Sequence, residues 1–243
     1  MSFPNVLNIS LDETLNTYTA ESIPVGSKAV AEDGTIYRFA ENGGTVLTTG
    51  KLLEAVAPST NYTDETVATL AAGVTTLTGI GSTAADGAIN LFKYGYCWSS
   101  TATNLNPIMR IKSNTLITSG ASTGTFVLYN PTVAAFAAAD TISYVENLWR
   151  DIVITTNATP LASLVGVSVT PIAADGYGWV QTGGICRALI VGSVVLGCEV
   201  IPAATAGSVG PNDSETTQLT KIVGYAATVE ATTEYGPIFL TLD

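Results

Sequence analysis

Glycine-containing turn signals recur every eight to twelve positions along this chain, and the segments between them are rich in Thr, Val and Ala. That punctuation leaves room for short strands and little room for helices. The clearest example is "SKAVAEDGTIYRFAENGGTVLTTG", Ser27 to Gly50, with Asp33-Gly34 and Asn42-Gly43 as its turn dipeptides. Both tolerate positive φ and suit tight hairpins. In "TIYRF" between them, Ile36 and Arg38 share one face of a strand while Tyr37 and Phe39 share the other. A three-stranded meander is expected here. The fold class expected for the whole is mainly β, with antiparallel sandwich- or barrel-like domains, an extended N-terminal arm and one or two short helices.

Residues 1–26 carry Asn, Thr, Ser and Pro with isolated apolar positions and no clean period, so they read as the arm, ordered when something packs on it. Residues 27–170 read as a β-rich domain, and 171–243 as a C-terminal barrel-like domain. Its strands are expected at "YGWVQT", "ICRALIV", "VVLGCEVI", "KIVGYAATV" and "PIFLTL", with Gly183-Gly184 turning between the first two. Gly50 to Pro58 and Thr132 to Asp140 are the helix candidates, although nine residues make a marginal helix in isolation. Ala203 to Gln218 reads as a polar surface loop. No fixed-period repeat is evident.

Composition excludes several classes. At 243 residues with 47% hydrophobic and 12% charged residues, the chain has ample material for a core and lacks the signature of disorder. Its longest apolar run, Leu189 to Cys198, is half the ~20 residues of a spanning helix, so no membrane partner is expected. The start "MSFPNVLNIS" shows no basic segment followed by an apolar one, so no secretory signal is expected. Nine Lys and Arg, scattered among twenty acidic residues for a net charge of −11, argue against nucleic acid as a partner, because a phosphate backbone needs clustered cations. Cys97, Cys186 and Cys198 read as buried free thiols, with a Cys186–Cys198 disulfide open if their strands are adjacent.

The motifs that resemble chemistry have simpler readings. "GASTG", Gly120 to Gly124, fits the G-x-S-x-G nucleophile pattern around Ser122, but the chain contains no histidine to activate it and reads as a turn there. "GIGSTA", Gly79 to Ala84, resembles a dinucleotide fingerprint, yet "ADGAINLF" after it does not start a helix. Zinc wants His or clustered Cys. Calcium needs only oxygens, and "TDE" (Thr63 to Glu65) and "NDSE" (Asn212 to Glu215) gather carboxylates, but both read as solvated acidic turns. No spacing nominates a glycosidase carboxylate pair. Trp98, Trp149 and Trp179 read as core or interface residues rather than sugar platforms. The N-x-S/T sites at Asn8, Asn61, Asn157 and Asn212 occur by chance in so Thr-rich a chain. No catalytic, cofactor-binding or metal residue is assigned, and no enzyme activity or cofactor is expected.

Taken in order, "AEDGTIYRFAENGGTVLTTGKLLEA" (Ala31 to Ala55), "DGYGWVQTGG" (Asp175 to Gly184), "PAATAGSVG" (Pro202 to Gly210), "IVGYA" (Ile222 to Ala226) and "PIFLTLD" (Pro237 to Asp243) resemble virion structural proteins of tailed bacteriophages. Among these the resemblance is to head decoration, or cement, proteins. It implies a β-rich homotrimer on the outside of the capsid that binds the major capsid protein and locks its subunits together, with no catalytic residues to carry over. Residues 60–140 carry no matching block. The alternative is a glycan- or receptor-binding tail or fibre protein of the virion.

Overall fold

The computed structural model describes residues 6–101, 105–156, 160–212 and 221–243. In chain order the strands are β1 (Val6–Ile9), β2 (Thr17–Tyr18), β3 (Lys28–Ala31), β4 (Ile36–Glu41), β5 (Leu52–Glu54), β6 (Glu65–Thr66), β7 (Thr76–Ile80), β8 (Tyr96–Thr101) and β9 (Met109–Asn114). They continue as β10 (Gly124–Leu128), β11 (Thr141–Val145), β12 (Val153–Ile154), β13 (Leu164–Ser168), β14 (Tyr177–Ile190), β15 (Glu199–Pro202), β16 (Ser208–Pro211), β17 (Gly224–Ala226) and β18 (Glu234–Thr241). Single 3₁₀ turns at Glu13–Leu15 and Thr60–Tyr62 are the helical elements among the described residues. The protein is mainly β.

The chain divides into two compact units, one of residues 1–57 and 148–243 and the other of residues 58–147. These are not the divisions after residues 26 and 170 that the sequence suggests. The reason is strand pairing across a long gap in sequence: β4 lies along the first half of β14, with Phe39 opposite Trp179, so the early and late segments build one sheet. The segment between them closes on itself.

In the first unit, β14 is the axis. Its first half pairs with β4, and its second half, Gly183 to Ile190, pairs with β18. From there the ladder passes through β16, β15 and β17 and returns to β18, closing a ring of five strands. Cys186, Ala188, Ile190, Val200, Val209, Ile238 and Leu240 fill that barrel. Around the first half of β14, Val180 packs with Leu53, Ile152 and Ile172 on one side. Trp179 packs with Tyr37 and Phe39 on the other, the Phe39 and Trp179 rings meeting edge to face at 5.2 Å.

The 58–147 unit is a six-stranded sheet in the order β6-β11-β8-β9-β10-β7. Its two end strands meet: Ala68 N–H donates to the Thr78 carbonyl at 2.9 Å and Gly81 N–H to the Thr66 carbonyl at 3.2 Å, closing a second barrel-like body. Tyr62, Phe92, Phe126 and Tyr144 form its centre, with ring centroids 4.8 Å apart for Phe92 and Tyr144.

Several local expectations change. Asp33-Gly34 does turn between β3 and β4, with Gly34 at φ +84° and the Asp33 carboxylate accepting from Thr35 N–H (3.0 Å) and its hydroxyl (2.6 Å). Asn42-Gly43 does not make a hairpin, because the Asn42 side-chain amide reaches the carbonyls of Thr45, Ile172 and Ala173 and draws the chain toward the later segment. Gly183-Gly184 is not a turn either: "YGWVQTGGICRALI" is one strand of fourteen residues. The helix candidate at Gly50 to Pro58 holds β5, all three of whose residues are buried against β12 and β13. The candidate at Thr132 to Asp140 is irregular, fixed by a bridge between Phe136 and Leu70. The described part of the arm is built into the sheet, β1 pairing with β3 and β2 with β14. In the supposed polar loop, Ser208, Val209 and Gly210 of β16 are buried, and residues 213–218 lie outside the described ones.

Candidate assembly surface

A strand that closes a barrel buries one face and shows the other. Along the second half of β14, Cys186 and Ala188 point into the core, so Ile185 and Arg187 point out. Register then decides what stands beside them. Ile185 is opposite Phe239 of β18, and Phe239 is opposite Tyr225 of β17. These three large side chains form one row across three adjacent strands and are 52%, 48% and 42% exposed. Next to the row, Arg187 stands opposite Pro237, and its guanidinium lies 5.7 Å from the Tyr235 ring. Isolated exposed apolar residues are ordinary, whereas a contiguous row with an aromatic at its centre is the composition of a contact surface.

The row borders a cleft of about 590 Å³ with Gly184, Ile185 and Phe239 on one side and Asp33, Thr35 and Asp243 on the other. Its origin is the change of partner on β14. Gly183 faces both Ile36, where β4 begins, and Thr241, where β18 ends. Gly184 sits there at φ +85°, and a Cβ on it would lie 3.0 Å from Thr35 Cγ2. Glycine is therefore needed both for the backbone and for the close approach. Across the seam, Asp243 accepts from Arg38 Nε (2.6 Å) and Nη2 (2.9 Å) and lies 3.3 Å from Lys28 Nζ. Hydrogen bonding from Arg38, reinforced by the charges of Arg38 and Lys28, holds the Asp243 carboxyl below the usual carboxylate range.

A second ionic cluster marks the other end of β14. Tyr177 donates to Glu41 Oε1 at 3.0 Å, Arg150 Nη2 lies 3.4 Å from Glu41 Oε2, and Arg150 Nε lies 3.9 Å from Asp151. Burial raises both acids above their ordinary values despite Arg150, and it raises the Tyr177 phenol to about 12. The topology thus brings together two carboxylates that no sequence spacing nominates, with a guanidinium between them that ties both into a structural ion pair.

The residues singled out in the sequence fall elsewhere. Ser122 lies beside β10, its hydroxyl 2.6 Å from that of Thr66. Gly79 to Ala84 leaves β7 without a helix following it. The "TDE" pair separates: Glu65 is buried in β6, against the solvated reading, while Asp64 is exposed. Of "NDSE", residues 213–215 lie outside the described ones, as does Asn157. Cys97 and Cys186 are buried, Cys198 is half-buried, and all three are free thiols. Trp179 is core, and Trp149 donates its ring N–H to the Val165 carbonyl under the Arg38 guanidinium. Trp98 lines an apolar hollow of about 370 Å³ with Leu105, Asn106 and Ile108. Ser99 also lines it, and the Asn106 side chain there accepts from the Val133 and Ala134 N–H groups and donates to the Ala134 carbonyl. No protein-family model, no curated protein and no solved structure matches the chain.

Proposed function

We propose that this chain is a structural protein of a tailed-phage virion, a decoration or cement protein that docks on the outer surface of the head and stabilises contacts between major capsid protein subunits. The reading rests on the ordered sequence blocks that resemble such proteins and, above all, on the outward row Ile185–Phe239–Tyr225. All five blocks lie in or beside the sheet organised by β14 and the barrel it closes. The row is the right kind of surface for a permanent contact, with a central aromatic, a neighbouring arginine and few charges. The protein acts by area rather than chemistry: each copy adds contacts that must be broken before capsid subunits separate. A homotrimer suits this role, since three copies around a threefold axis engage neighbouring subunits simultaneously. A net charge of −11 suits an exterior position away from packaged DNA.

The test is cosedimentation with purified heads that lack the protein. The wild type is expected to pellet with heads, and Phe239→Asp combined with Ile185→Asp to remain in the supernatant while keeping its thermal transition. If the double variant pellets like the wild type, the row is not the docking surface. If mass spectrometry of purified virions from the producing cells finds no copies of the chain, the virion reading is abandoned.

A further inference from the structure

We propose that the seam of the 58–147 unit holds a compact monovalent cation, an alkali ion or a primary ammonium group, against the carboxylate of Glu65. The seam is where β6 meets β7, and a cavity of about 210 Å³ opens there between Glu65, Thr66, Gly81 and Ser122. Glu65 is 6% exposed. Its Oε1 accepts a hydrogen bond from the Thr83 hydroxyl. Its Oε2 has no hydrogen-bond partner among the described residues, and no lysine or arginine among them lies within ion-pair distance. Glu65 is thus a largely buried carboxylate whose Oε2 stays accessible from the cavity and has no counter-charge beside it, so the site favours a positive occupant there.

The surrounding hydroxyls make the same case. Thr66 donates to the Gly79 carbonyl at 3.3 Å, so the Ser122 hydroxyl, 2.6 Å away, donates to Thr66. Tyr144 spends its proton on the Gly81 carbonyl. Ser122 Oγ and Glu65 Oε2 are thereby left with lone pairs and no hydrogens to offer, which is the donor set of a cation or an N–H⁺ group. Gly81 keeps the space open: a Cβ there would fall 2.5 Å from Thr66 Oγ1 and 3.3 Å from Glu65 Oε2. One carboxylate among neutral oxygens balances a single positive charge. Among the described residues no group of three acidic, His or Cys side chains gathers to hold a divalent ion. "GIGSTA" and "GASTG", two glycine-rich stretches far apart in sequence, supply opposite walls of this one cavity.

Crystals of the full chain soaked in thallium(I) nitrate are expected to show an anomalous peak in contact with Glu65 Oε2; a water in that position and no peak would overturn the proposal. In solution, the unit's melting temperature is expected to be higher by about 5 °C in sodium, potassium or methylammonium nitrate than in tetramethylammonium nitrate at equal ionic strength. A response to the alkali salts alone assigns a free ion, and a response to methylammonium alone assigns an amine. Glu65→Gln, which keeps an acceptor for Thr83, is expected to abolish the difference. If that variant fails to fold, Ser122→Ala is expected to reduce it. Equal melting in all four salts, or a Gln variant that responds like the wild type, refutes the site.

Discussion

The two halves of β14 are one continuous strand in two environments. From Gly178 to Thr182 every residue is buried, because the half-strand is covered on both faces, by the Val180 cluster and by the Trp179 cluster. From Ile185 to Ala188 burial alternates, because the barrel covers one face and leaves Ile185 and Arg187 outside, before the strand ends in buried Leu189 and Ile190. Apart from the junction, where Gly184 takes φ +85° and the β4 register shifts, the halves differ in what stands against them. The half sealed on both faces anchors the fold, and the half with an open face carries the candidate contact surface.

The sharpest way to break this comparison is to shorten one side chain in each half. Trp179→Ala is expected to cost about 3–5 kcal/mol, since Trp179 is 1% exposed and its loss leaves a cavity beside Phe39. Ile185→Ala is expected to change stability by no more than about 0.5 kcal/mol. Urea denaturation of both variants checks this, and similar costs would mean that the outer row is part of the folding core.

The junction comes next. Gly184→Val puts a β-branched residue at φ +85° against Thr35 and is expected to cost about 1–3 kcal/mol. Hydrogen exchange is expected to accelerate first at the Leu242 amide, which donates to the Thr182 carbonyl across the seam. A fully stable variant would show that the two halves meet more loosely than the packing implies.

How much of this is readable from residues depends on how local each cause is. Asp33-Gly34 is legible because its turn is made by Asp33, Gly34 and Thr35 themselves. Asn42-Gly43 and Gly183-Gly184 carry the same local chemistry, yet carbonyls from residues 172 and 173 decide the first and the meeting of β4 with β18 decides the second. The buried positions of "TIYRF" follow from alternation, Tyr37 and Phe39 being inside. The outward row does not, because Ile185, Phe239 and Tyr225 become neighbours only once the barrel closes. One signal was available: Arg187, two residues from Ile185, marks the open face of an otherwise apolar stretch. Glu65 gives no such signal, because "TDE" looks like a surface turn until β6 is seen paired with β11.

The smallest expected effects separate the ends of the half-strands by pH. Asp243, at the seam, has a lowered pKa through its bonds from Arg38, so its contribution is present above the ordinary aspartate value of about 3.9 and is lost as pH falls through the folded value. Asp243→Asn is therefore expected to cost about 1 kcal/mol at neutral pH, with the deficit disappearing in acid. Glu41, at the far end, has a raised pKa because burial outweighs Arg150 and Tyr177. Its ionisation opposes folding, so stability falls as pH rises from the ordinary glutamate value of about 4.3 through the folded one. Gln imitates the protonated acid, so Glu41→Gln is expected to match the wild type in acid and exceed it slightly at neutral pH. Urea midpoints across a pH series check both. A neutral-pH loss in the Gln variant would mean that the Arg150 ion pair outweighs the burial of Glu41, and the two ends of β14 would then respond to acid in the same direction.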